Sequence, residues 1–338
     1  MMTQDVIHIL NDPDLIKARE YHMDRLERLY RGETLESPFY LRGIIGESNA
    51  DAYKEPEKWV EESLTNLSEH AEEILDRKVF HPLGLEKWLY GVHFTDRVFG
   101  SELYSDGELF WKNGLKNKIG ELPVPDLCHN ETWKMAQELT LAMVNSGVKL
   151  PFFTTQVLGE PWNQLFNLYK EEALVAFYEN PDGLRRDLSV VTDTLVQMHE
   201  WYLKTIPEEQ FQNVCMAVRC QPRGYGQMCG CSTHLISGEL YKEFIEEFDD
   251  RIFSVYKKGG MYHLCGNHTQ HLPYWSKDPL VKAFQVNGPA TDQLKTYYEK
   301  GRKDQILYVY FNEETTREVT EEKALEITEG GKRCVLLW

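Results

Sequence analysis

The sequence predicts an α/β protein: a single (β/α)8 TIM-type barrel over residues 38–338, preceded by an N-terminal helical extension at residues 1–37. Three observations lead there. In the second half of the chain, short apolar runs of strand length alternate with amphipathic helical patterns, as a parallel sheet requires. No glycine-rich phosphate fingerprint follows an early strand, which disfavours the dinucleotide-binding form of an open, doubly wound sheet and leaves the closed barrel. No internal repeat or low-complexity stretch is visible, and 338 residues, 42% hydrophobic and 27% charged, allow one large domain or two smaller ones.

Taken in order, Asp14 to Tyr30 reads as a cover helix, with Leu15, Ile16, Tyr21, Leu26 and Leu29 at near-helical spacing. Pro38 to Gly46 reads as a buried strand ending at glycine. After Pro56 an amphipathic helix is expected to about Arg77, on the stripe Trp59, Val60, Leu64, Leu67, Ala71, Ile74 and Leu75. Between Val79 and His129 glycines, aromatics and turn residues dominate, and Gly91 to Gly100 reads as a strand followed by a loop. A helix over Glu131 to Asn145 and a strand over Leu150 to Thr155 follow. Helices then cover Trp162 to Tyr178 and Asn180 to Ile206, the second with Pro181 in its first turn. The remaining strands are Val214 to Arg219, Gln227 to Cys231, Met261 to Leu264, Ala283 to Val286, Ile306 to Phe311 and Arg333 to Leu337. Helical patterns at Gly238 to Tyr256, Thr291 to Tyr298 and Thr320 to Thr328 separate them.

The net charge of −17 comes from 54 acidic and 37 basic residues spread without a basic block, which argues against nucleic acid and anionic membrane surfaces as partners. The first residues carry acids and lack a basic region followed by an apolar core, and no apolar run approaches a membrane span. A soluble, cytoplasmic protein is the expectation. In that setting seven cysteines suggest free thiols or metal ligands rather than a disulfide framework. Cys215, Cys220, Cys229 and Cys231 cluster in one short region, Cys265 follows, and Cys128 and Cys334 stand apart.

The chemistry is expected in the stretch Gly259 to Pro273. Gly259 and Gly260 end the preceding helical pattern, Met261 to Leu264 is strand-like, and Gly266-Asn267 breaks it. Residues i and i+2 of an extended chain point to the same side, so His263 and Cys265 share a face. An imidazole nitrogen and a thiolate sulfur are a pair that zinc accepts readily.

His263-Leu264-Cys265-Gly266-Asn267, the preceding Leu235 to Phe244 and the closing strand Lys332 to Leu337 together resemble the uroporphyrinogen decarboxylase superfamily. The His-x-Cys-Gly-Asn element resembles its corrinoid-dependent methyltransferase branch, and the resemblance covers most of residues 130–338. It implies a (β/α)8 barrel and a zinc held by that histidine, that cysteine and a later cysteine near the end of the last strand. His263 and Cys265 carry over directly. Cys334 is the only later cysteine, yet it opens its strand, whereas barrel chemistry sits at strand C-termini. Cys231 is therefore the expected third ligand, with Cys229 as an alternate or fourth and Cys334 left as the remaining option.

The resemblance further implies a corrinoid as methyl donor, on a separate carrier protein, and a small-molecule thiol as acceptor. The superfamily's decarboxylases supply the rival reading, a tetrapyrrole decarboxylase relying on Arg42 and on Asp96, whose Phe94-Thr95-Asp96 setting is similar to the family's aspartate motif. Only one arginine stands where those enzymes are arginine-rich. A barrel that binds a corrinoid or a metal without turnover is the non-enzymatic alternative.

Each residue also has a bland reading. A buried cysteine is usually a small apolar filler, and a lone histidine is more often hydrogen-bonded in a core than a ligand. The i, i+2 repetition at Cys229, Cys231, His263 and Cys265 is what tips these four towards metal binding. Arg42 serves an ion pair as readily as a substrate. Asn287 and Asn312, after their strands, are plausible at a barrel mouth, although loop and turn chemistry is the preferred explanation for both.

Overall fold

The structure is a computed structural model and describes residues 2–105, 110–213, 219–310 and 319–337. Its strands are β1 (Phe39–Leu41), β2 (Ile44–Ile45), β3 (Val79–Phe80), β4 (Leu83–Leu85), β5 (Leu103–Ser105), β6 (Phe110–Lys112), β7 (Phe152–Thr154), β8 (Phe211–Gln212), β9 (Gly226–Cys229), β10 (Gly260–Leu264), β11 (Val281–Val286), β12 (Ile306–Tyr310) and β13 (Cys334–Leu337). A seven-stranded parallel sheet runs β3-β1-β13-β12-β11-β10-β9, and a four-stranded parallel sheet runs β2-β4-β7-β8. β5 and β6 form a separate antiparallel hairpin.

The two parallel sheets are continuous on one side. Arg42 N donates to Phe80 O at 2.9 Å and Ile44 N to Pro82 O at 2.9 Å, so the β1–β3 pairing carries on into β2–β4. On the other side β8 and β9 share no ladder among the described residues. A side-chain amide stands in: Asn213 Nδ2 donates to Gln227 O at 2.9 Å. The ladders thus establish a parallel α/β architecture with a seven-stranded sheet, and they do not close the ring of eight strands expected from the sequence. The expected strand from Val214 falls, over residues 214–218, outside the described residues.

Every residue of β9 and β13 is buried, as in a parallel sheet covered on both faces. The core is rich in large side chains such as Trp162, Trp275, Tyr262 and Phe284, all but completely buried. Each contributes roughly 1.5–3 kcal/mol by leaving water. The N-terminal helix Pro13–Tyr30 is capped by Asp12, which accepts from Asp14 N at 2.7 Å, and has proline in its first turn. No helix among the described residues is long and apolar enough to cross a membrane.

Several expected elements shift for identifiable reasons. The helix expected from Pro56 to Arg77 ends at Glu69 and continues as a 3-10 turn, Ala71–Leu75. The helix expected from Trp162 to Tyr178 is two helices, Pro161–Tyr169 and Glu171–Glu179, because Lys170 adopts φ 57°. Gly91 to Gly100 is not a strand: a 3-10 turn, Gly91–His93, leads into a helix, Phe94–Val98, whose Phe94 and Val98 bury one helical face. Gly259 begins β10's approach with φ +78°, and a Cβ there would lie 2.2 Å from Leu280 O, so only glycine fits.

Candidate metal centre

The centre is assembled at the C-terminal ends of adjacent parallel strands. In register, His263 of β10 stands beside Cys229 of β9 on one side and Gln285 of β11 on the other. Cys265 follows β10 directly. Cys231 has already left β9 and begins a 3-10 turn, Cys231–Leu235, which bends its side chain back over the strand ends. The Cys231 thiol donates to Cys265 Sγ at 3.3 Å, and Cys265 Sγ lies 2.9 Å from His263 Nε2.

These three side chains offer ligand atoms that all lie within 4.8 Å of one another. Donors around one tetrahedral zinc, with bonds of roughly 2.0–2.3 Å, stand roughly 3.4–3.8 Å apart, so the set fits such an ion. The imidazole is in the right form for it. Gln285 Nε2 donates to Val286 O, which turns Oε1 towards His263 and makes Nδ1 the protonated nitrogen. Nε2 is left with the free lone pair that a ligand needs.

The thiols are electrostatically unequal. The hydrogen bond from Cys231 holds Cys265 well below the usual thiol range against the opposing effect of burial. The same bond, with burial, pushes Cys231 well up. Cys229 is not one of the three clustered donors; its Sγ instead accepts from Arg219 at 3.5 Å, and burial raises its thiol.

All four residues open onto a cavity of ≈ 500 Å³, which Asn287 also lines. Its wall includes Arg219, Asn163, Gln164 and Tyr310, and among the described lining residues there is no carboxylate. Asp96 and Arg42, expected as substrate-binding residues, are not part of this wall. Asp96 is fully buried behind Gln164, which donates to it, and it is further held by His93 at 2.6 Å and Lys112 at 3.3 Å. Arg42 is exposed, and its carbonyl bonds His81 at 3.1 Å. Cys334 is fully buried at the start of β13, away from the cluster, and burial pushes its thiol up to about 12. Asn312 lies outside the described residues.

Sequence reasoning missed Gln285, Arg219 and Glu160. Gln285 and Arg219 sat unremarked in strand candidates, and a lone amide or guanidinium there carries no signal of its own. Glu160 precedes Pro161, a helix-start signal that concealed a fully buried carboxyl.

No family model and no curated protein matches the chain. Among solved structures, a methyltransferase from Methanosarcina mazei aligns over 94% of this chain and 92% of its own, with a TM-score of 0.65 and 13% identity. At that identity what the two chains share is the fold: a parallel α/β architecture extending over nearly the whole length of both.

Proposed function

We propose that this chain is a zinc-dependent methyltransferase that moves a methyl group from a corrinoid, carried on a separate protein, to a small-molecule thiol. The observation that carries the reading is the convergence of Cys231, His263 and Cys265 on one cavity. The fold shared with a methyltransferase supports it, and we extend that likeness to a closed (β/α)8 barrel over residues 38–338 behind the extension at residues 1–37. A soluble, cytoplasmic setting accords with the charge pattern.

Cys231, His263 and Cys265 would hold the zinc, and a substrate sulfur would complete its set of donors. Zinc, when bound by these residues, would lower the pKa of a thiol that joins it, so that the sulfur is a thiolate at neutral pH. The residues of the chain supply the rest. Gln285 fixes the His263 ring through Nδ1, and the turn after β9 aims Cys231. The cavity admits a small acceptor and Asn287 stands at its wall to orient it. In the transfer the sulfur–carbon bond forms as the cobalt–carbon bond breaks. The electron pair of the broken bond stays on cobalt, and the thiol proton passes to solvent.

The test is metal analysis of the purified protein together with thiol-dependent demethylation of methylcobalamin. Near-stoichiometric zinc and turnover that is lost in His263→Ala and Cys265→Ser are expected. Full activity in zinc-free protein and in both variants would sink the proposal.

A further inference from the structure

Glu160 is a carboxyl with no solvent exposure, and burial pushes it up to about 8. It precedes the helix Pro161–Tyr169, yet its side chain makes no cap to that helix. Instead its Oε1 accepts the hydroxyl proton of Thr233, while Oε2 has no hydrogen-bond partner among the described residues. Its amide donates to Cys229 O at 3.1 Å. Gly230 has φ −100°, which any residue adopts, so its lack of a side chain is not a matter of backbone conformation. The reason is space: a Cβ there would stand 2.8 Å from Glu160 Oε2.

Glu160 therefore touches Cys229, Gly230 and Thr233, the residues on both sides of Cys231, without contacting a ligand atom itself. The rest of the turn is held from other directions. Gly230 N donates to His263 O at 3.0 Å, His268 Nε2 bonds Gly230 O at 2.9 Å, and Ser232 N donates to Asn163 at 3.0 Å. Of these supports Glu160 is the one whose removal would both release the Thr233 hydroxyl and open the space beside Gly230.

We propose that Glu160 is a positioning residue for Cys231: a buried carboxyl that fixes the Gly230–Thr233 turn and so sets where the Cys231 sulfur meets Cys265 and His263. This rests on the metal-site reading above. Groups that orient ligands from behind typically change metal affinity by about 10–100-fold when removed.

The test uses Co(II) as a probe, added to the metal-free full-length protein, with affinity and the sulfur-to-cobalt charge-transfer band as readouts. Glu160→Ala and Thr233→Val are each expected to weaken Co(II) binding by about tenfold or more and to reduce the band. The double variant should be little worse than the poorer single, since both act through one bond. Asp187→Asn, at another fully buried carboxyl that accepts from Gly120 N and Leu122 N, should lower thermal stability while leaving the affinity alone. If Glu160→Ala does not fold, Thr233→Val carries the test, because it removes only a hydroxyl. Affinity within about twofold of wild type with an unchanged band overturns the role of Glu160 while leaving the metal site standing. A wild type that binds no Co(II) overturns both.

Discussion

Replacing Gln285 by leucine isolates one bond of the proposed centre. Gln285 is 2% exposed and lies level with His263 on the neighbouring strand, so the two side chains meet as a direct cross-strand pair. Leucine keeps the length and burial but removes the oxygen that accepts from His263 Nδ1. The imidazole is then free to change tautomer or rotate, and loss of such an orienting partner weakens metal binding about 10–100-fold, or about 1.4–2.8 kcal/mol. The stranded Nδ1–H adds a folding cost of about 1–3 kcal/mol. Both quantities are measurable on the same sample. Competition for Zn(II) against a chromophoric chelator gives the first, and thermal unfolding of metal-free protein gives the second. Gln285→Glu, which keeps an acceptor, should bind zinc at least as tightly as wild type. If Gln285→Leu binds zinc within about twofold of wild type, the tautomer argument for His263 is wrong.

Three further outcomes follow from groups away from the centre. Burial holds His199 neutral down to about 3 and His22 down to about 4. Both folded values lie below that of an unfolded histidine, about 6.5, so the unfolded chain binds more protons in acid. Stability from these two is complete above about pH 6.5 and is lost towards pH 4 at about 1.4 kcal/mol per pH unit for each. Carboxyls that burial raises, Glu160 to about 8 and Asp250 to about 7, oppose this trend, so the comparison is between variants: His199→Gln should lose less stability than wild type in urea unfolding between pH 7 and pH 5, and an unchanged difference refutes the assignment. Lys112→Met leaves the fully buried Asp96 without its cation and should cost about 3–5 kcal/mol in urea unfolding. Adding Asp96→Asn should return most of that loss, and failure to do so would mean the pair is not coupled. Gly259→Ala forces a side chain into φ +78° and against Leu280 O, and should lower stability by at least about 2 kcal/mol in a thermal melt. A variant as stable as wild type would contradict the conformation of that turn.

Much of the layout was legible because the second half of the chain obeys simple periodicities. β10, β11, β12 and β13 fall where apolar runs of strand length place them, within a residue or two at each end. The first half was harder to read for physical reasons. The turn of helix at Phe94–Val98 is too short to display a period, and its aromatic, threonine and valine content suits a strand equally well. The break at Lys170 is a backbone conformation that the residue type does not advertise. Ring closure was predicted from the sequence, whereas among the described residues no ladder joins β8 to β9.

The site shows the same division. His263 and Cys265 were recognisable because their spacing within a strand fixes their relation. Cys231 was preferred over Cys229 from the sequence, and the fold adds the reason that one is still in the strand and the other already beyond it. Gln285 and Glu160 were illegible, since what defines each is a neighbour remote in sequence. Arg42 and Asp96 stand apart from the cavity: Arg42 is exposed, and Asp96 is buried against Lys112 and His93.

Cys229, His263 and Gln285 form a row across β9, β10 and β11, each the register partner of the next. This row is specified by hydrogen-bonded alignment rather than by the course of the connections between strands. Those connections are therefore open to insertion and exchange during divergence, while a single deletion inside any of the three strands would turn the row's side chains to the opposite face. Cys231 is the exception, since it stands on a turn and inherits nothing from the alignment. A lineage that rebuilt that turn would keep the row and change which donors meet His263 and Cys265.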